Sequence, residues 1–160
     1  MGAWKDMALA LEKLLAPDTG CPECPPERDA ESQMEVAVVF TSVKATLAAL
    51  RTAGALASRL RYRITLVVPQ IVPYPLPLSS PPVLLDFSER QFRVLAGQSP
   101  VDTVVRIYLC RDRMDALVQM LKPRSLVVIG GRRRWWPTEE MRIVRRLRRA
   151  GHEAVFTETE

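Results

Sequence analysis

The run Ser125-Leu-Val-Val-Ile-Gly-Gly131 limits the fold more than any other stretch of this chain. Its apolar part is short and β-branched, which fits a strand buried on both faces better than a helix. Two glycines then turn the chain. Pro137-Thr138-Glu139-Glu140 follows as a helix start, with a hydroxyl to cap the first amides and carboxylates placed at the positive end of the helix dipole. Strand, tight turn and helix form the repeating unit of a parallel α/β sheet. In such sheets ligands usually lie in the crevice beyond the strand ends.

The same unit recurs along the chain. Val36 to Phe40 is a first strand, Thr41-Ser42 can cap a helix over about 43–60, and Tyr62 to Val68 is a second strand. The segment 69–82 holds six prolines and is expected to be irregular. A helix over 83–96, ended by Gly97, leads to a third strand over 102–109. A helix over 111–121 stops at Pro123, and the strand 125–129 follows. A last helix runs from Thr138 to Gly151, before a short strand over 153–157. This order predicts a five-stranded parallel sheet with helices on both faces, a three-layer α/β/α, Rossmann-like domain over 35–160. At 160 residues and 48% apolar, the chain supports one such core.

Residues 1–34 read as a separate unit. Ala3, Met7, Ala8, Leu11, Leu14 and Leu15 recur at helical spacing and predict a short amphipathic helix over 3–15. Pro17 to Gln33 is a linker rich in proline, cysteine and acids. Lys5, Asp6, Glu12 and Lys13 interrupt the apolar pattern of the first residues, unlike a secretory leader. No apolar run approaches the roughly 18–20 residues of a membrane span, so a cytoplasmic protein is expected. Of the three cysteines, Cys110 reads as a buried thiol. Cys21 and Cys24 are half a zinc site with His152 far away, so no metal site is expected.

The net charge of +5 is unevenly spread. Residues 1–35 carry eight acids against Lys5, Lys13 and Arg28, whereas residues 130–150 carry eight arginines against Glu139 and Glu140. Arg142, Arg145, Arg146 and Arg149 fall opposite the apolar face formed by Ile143, Val144, Leu147 and Ala150. Such a stripe is either a solvated helix face or the footprint of a nucleic-acid or polyanion binder.

The succession Val36-Ala-Val-Val-Phe-Thr-Ser42, the alanine-rich first helix, the second strand opening into a long loop, and Leu126-Val-Val-Ile-Gly-Gly131 resemble the universal stress protein domain over about 35–157. The resemblance is one of layout and hydrophobic pattern. It implies a five-stranded parallel sheet, a homodimer and, as in many members, an ATP site. The family's first strand commonly ends Asp-Gly-Ser. Those places fall on Phe40, Thr41 and Ser42, so the serine matches and the carboxylate is absent. In the family's phosphate loop, G-x2-G-x9-G-[ST], Gly130 takes the first glycine and Arg133 the second. The later Gly-Ser/Thr pair is missing, and Thr138 is the hydroxyl at the helix start. Glycines let backbone amides approach a phosphate closely, and these replacements remove that geometry. The resemblance therefore implies a stress-linked regulatory or binding domain with an impaired nucleotide site. ATP or another nucleotide would lie against Phe40, Thr41, Ser42, Gly130, Gly131, Arg132, Arg133, Arg134 and Thr138.

Arg132 to Arg134 are either phosphate clamps or a solvated loop tip. Trp135 and Trp136 cannot both easily point inward, and contact with a partner, core packing and base stacking are the three readings. The helix over 3–15 is a second candidate for docking a protein partner. His152 follows a helix-ending glycine, and Asp112, Asp115, Asp86 and Glu89 read as solvated. No catalytic constellation is visible, so a non-catalytic protein is expected.

Overall fold

The computed structural model describes residues 12–15 (backbone), 34–78, 81 and 84–159. Strands β2 (Glu35–Val39), β3 (Arg63–Ile71), β4 (Thr103–Cys110), β5 (Leu126–Gly131) and β6 (Glu153–Glu158) are all parallel. They lie in the order β4-β3-β2-β5-β6. The four helices between them are α1 (Val43–Leu60), α2 (Leu85–Ala96), α3 (Arg113–Met120) and α4 (Glu139–Arg149). The three-layer α/β/α arrangement is the one the strand–helix alternation predicts.

Alternation along each strand divides the core in two. Val36 and Val38 of β2 join Ile64, Leu66, Ile107 and Val128 under α1 and α2, where Leu50, Ala53 and Leu95 pack. Ala37 and Val39 join Val67, Tyr108, Val127 and Ile129 under α3 and α4, where Leu117, Ile143 and Leu147 pack. Both faces of the central strands are therefore dry, which is why these strands read as continuous β-branched runs rather than alternating ones.

Helix starts follow the expected chemistry. The Ser42 hydroxyl accepts from Ala45 N at 3.4 Å and the Thr138 hydroxyl from Met141 N at 3.4 Å. Asp112, exposed as expected, also caps α3, its Oδ1 accepting from Asp115 N at 2.9 Å.

Two expectations are corrected. Residues 12–15 form a strand, β1, paired antiparallel with β4 so that Glu12 faces Tyr108 and Leu15 faces Val105. The amphipathic pattern over 3–15 is therefore not helical at its end, and residues 3–11 lie outside the described residues. The physical reason is the outer edge of β4, whose free N–H and C=O groups take up a further strand. The second correction concerns the proline segment, because β3 runs through Pro69 to Ile71, with Pro69 opposite Tyr108. The amide of Phe40 donates to Val67 O at 2.9 Å as β2 ends. Pro69, two residues on, turns its nitrogen to the same side, where no strand needs a donor.

Strands β2 and β5 are neighbours whose connections leave in opposite directions, the switch point of the sheet. Here α1 crosses β5 so closely that a Cβ on Gly130 would fall on the Ala45 carbonyl. Gly130→Ala is expected to lower stability by about 3 kcal/mol or more, since backbone must move to admit one carbon. Gly151→Ala, at φ 92° with open space around it, should cost only about 1–2 kcal/mol. Urea unfolding of both variants measures the contrast, and equal small losses would contradict the packing described.

Candidate functional site

The sheet places Val39 opposite Ile129, which brings Phe40 beside Gly130 at one rim. The sequence-predicted residues are thus gathered at the C-terminal ends of β2 and β5, between the starts of α1 and α4. A cleft of about 500 Å³ opens there, lined by Ser42, Lys44, Gly131, Arg132, Arg134 and Glu140.

Most of these side chains are already engaged within the protein. The Phe40 ring meets Phe92 of α2 edge-on, with centroids 4.8 Å apart. Thr41 Oγ1 donates to Gly130 O at 2.9 Å, and its amide donates to the buried Thr46 hydroxyl at 3.3 Å. Ser42 and Thr138 are occupied as helix caps. Gly131 O accepts from Thr159 N at 2.9 Å. A Cβ on Gly131 would come within 3.0 Å of Glu140 Cβ and of the Phe156 ring. Both glycines therefore admit the protein's own atoms, the Ala45 carbonyl over one and the Glu140 stem over the other. Glu139 and Glu140 add negative charge at the mouth, and Glu139 is partly offset by Arg113 at 3.0 Å. Neither glycine could carry a side chain without displacing these neighbours, and two acids stand beside the cleft.

What remains open at this rim is basic and aromatic. Arg132, Arg133 and Arg134 are exposed and make no hydrogen bond or ion pair among the described residues. Trp135 and Trp136 are 101% and 81% exposed, so core packing of this pair is ruled out. On α4, Arg142, Arg145, Arg146 and Arg149 point outward, as their helical spacing predicts. Arg148 does not belong to the free set, because its guanidinium donates twice to Ala154 O, at 2.7 and 3.0 Å.

The remaining candidates have structural roles. His152 is buried, and its Nδ1 lies 3.0 Å from Ser125 Oγ, which ties the turn after α4 to the start of β5. Cys110 is a free, buried thiol; burial pushes its pKa up to about 11, so it stays protonated near neutrality. Cys21 and Cys24 lie outside the described residues. Among the described residues no cluster of His, Cys, Asp and Glu could hold a metal, and no helix is long and apolar enough to cross a membrane.

Sequence reasoning missed two arginines. Arg111, directly after β4, donates to Val72 O and to Leu76 O at 2.7 Å each, and its guanidinium lies 4.1 Å from the Tyr74 ring centroid. It clamps the proline loop to the end of the sheet. Arg106 lies inside β4, between buried Val105 and Ile107. The signal was a charge within an otherwise apolar strand. No protein-family model matches the chain, and no curated protein matches its sequence.

Arg111→Ala is expected to speed amide exchange over 72–78 and to cost about 1–3 kcal/mol, the worth of charge-assisted hydrogen bonds. Arg111→Lys should not restore protection, since a single ammonium cannot reproduce the two-pronged geometry. Hydrogen–deuterium exchange read by mass spectrometry checks both. Unchanged exchange in the alanine variant would show that the clamp does not order the loop.

Proposed function

We propose that this chain is a non-catalytic binding domain, of the layout found in universal stress proteins, whose mononucleotide cleft has been closed and whose rim takes a polyanion. The surface is Arg132 to Arg134, Trp135 and Trp136, continued by the arginine face of α4. The ligand that fits this chemistry best is a single nucleic-acid strand. Guanidinium groups pair with successive phosphates, and flat indoles stack on unpaired bases. The observation that carries the reading is the high exposure of two adjacent tryptophans among arginines that meet no partner among the described residues. Exposed aromatic area of that size is costly to leave in water and marks a surface that something covers. The parallel strand order supports the stress-protein part of the proposal, and the close contacts at Gly130 and Gly131 support the loss of the nucleotide site. The proposal places the domain in the cytoplasm, where a free thiol such as Cys110 stays reduced. It also includes a homodimer: β6 ends the sheet, and its outer edge meets no strand among the described residues.

The test is fluorescence titration of the protein with a single-stranded oligonucleotide at several salt concentrations, alongside calorimetry with ATP. Binding is expected to weaken with salt by about 0.7 decades per decade for each phosphate contacted. Replacing Trp135 and Trp136 with alanine should cost about 1–3 kcal/mol for each stacked base. ATP should give no heat at about 1 mM, an affinity of only about −4 kcal/mol. Oligonucleotide binding that is absent or indifferent to salt would overturn the polyanion surface, and tight ATP binding would overturn the closed cleft.

A further inference from the structure

The opposite rim, at the N-terminal ends of the strands, carries a second cavity that the proposed polyanion surface does not use. Its volume is about 560 Å³, within the range of small-molecule sites. The short helix α3, Arg113–Met120, ends beside the cavity, and Met120 and the following residues 121–125 form part of the lining. Leu60, Met120, Leu121 and Val155 give it apolar walls. Glu35, Thr65, Arg106 and Lys122 supply the polar groups.

Two of those groups already satisfy each other. Lys122 Nζ lies 3.2 Å from Glu35 Oε2. Burial alone would raise the Glu35 pKa, but a hydrogen bond from Thr65, the charge of Arg106 and the Lys122 contact outweigh it and hold the carboxyl below its ordinary value. Glu35 is therefore ionised and engaged with Thr65 and Lys122. Arg106 acts on Glu35 through its charge, yet one of its donors is unused. Its side chain rises from β4 at the level of Val67, and its Nε is buried with no acceptor among the described residues. A desolvated guanidinium N–H without an acceptor is unfavourable, and in a cavity of this size a ligand oxygen would satisfy it.

We propose that this cavity binds a small organic carboxylate with an apolar body, its two oxygens on the Arg106 fork and its body along Leu60, Met120 and Leu121. The planar fork matches a carboxylate bidentately. A phosphate dianion fits less well, because the Glu35 and Glu153 carboxylates line the same cavity. At the mouth, Arg124 adds a third cation from a backbone in the left-handed region, φ 57°, a conformation that non-glycine residues seldom hold without reason.

The probes are octanoate and 3-phenylpropionate, with octanol and octyl phosphate as controls, titrated into the full-length protein by calorimetry and by NMR. A dissociation constant below about 1 mM is expected for the carboxylates, and octanol should be weaker by at least tenfold. Octyl phosphate should also bind more weakly than octanoate. Shifts should appear at Thr65, Arg106 and Met120, leaving Gly130 to Thr138 unmoved. Arg106→Gln should reduce carboxylate affinity by at least about tenfold. If that variant unfolds, the shift map of the native protein decides alone. No carboxylate binding at about 10 mM, octanol binding as tightly as octanoate, or shifts confined to the other rim would each overturn the proposal.

Discussion

The close crossing of α1 over β5 at Gly130 is the contact on which the rest of this molecule depends. It is made of backbone against backbone, the Ala45 carbonyl over a residue with no side chain. No rotamer change can relieve it, so it fixes the height of α1 above the sheet and with it the start of that helix. Ser42 caps the helix there, and Thr41 spans from the helix start to the Gly130 carbonyl. At the switch point, where an α/β sheet ordinarily leaves room for a ligand, these hydrogen bonds and the Glu140 stem against Gly131 form the floor and wall of the remaining cleft.

The two rims differ in what they expose. At the C-terminal rim, hydroxylated residues serve as caps and the glycines pack closely, and most of the exposed area belongs to large side chains. Arginines and indoles there suit an extended, charged partner that lies across a surface rather than a small one that enters a cleft. At the N-terminal rim the reverse holds. The short helix α3 ends at the cavity, charged groups stand on the strands themselves, and apolar side chains complete its walls. Arg106 is the group for which that space matters most. Arg111, five residues further along, has every chance to bond and does so with two carbonyls.

The architecture was legible because the central strands β2 and β5 are buried on both faces and the first and last helices, α1 and α4, announce their starts with a capping hydroxyl. The pattern of Leu126 to Gly131 and the caps Ser42 and Thr138 fixed the sheet, its polarity and the meeting of Phe40 with Gly130. The outward arginines of α4 were equally plain from helical spacing. Residues 12–15 misled, because four residues that fit a helical stripe also fit a strand, and the free edge of β4 decides between them. Pro69 misled because a proline counts against a strand only where a neighbour needs its amide. The meaning of Gly130 and Gly131 was hidden, since a glycine that admits a phosphate and one that admits a carbonyl look alike in sequence. Arg106 was visible in the run Thr103 to Cys110, but its lack of an acceptor is a property of packing.

The close crossing of α1 over Gly130, and the proposed loss of nucleotide binding at this rim, are tested together by NMR of the labelled protein. Strong NOEs from the Gly130 α-protons to Ala45 and Thr46 are predicted in the free protein. The amide shifts of Thr41, Gly130 and Gly131 should stay unchanged when nucleotide is added. Missing NOEs together with nucleotide-dependent shifts at those three residues would contradict the account.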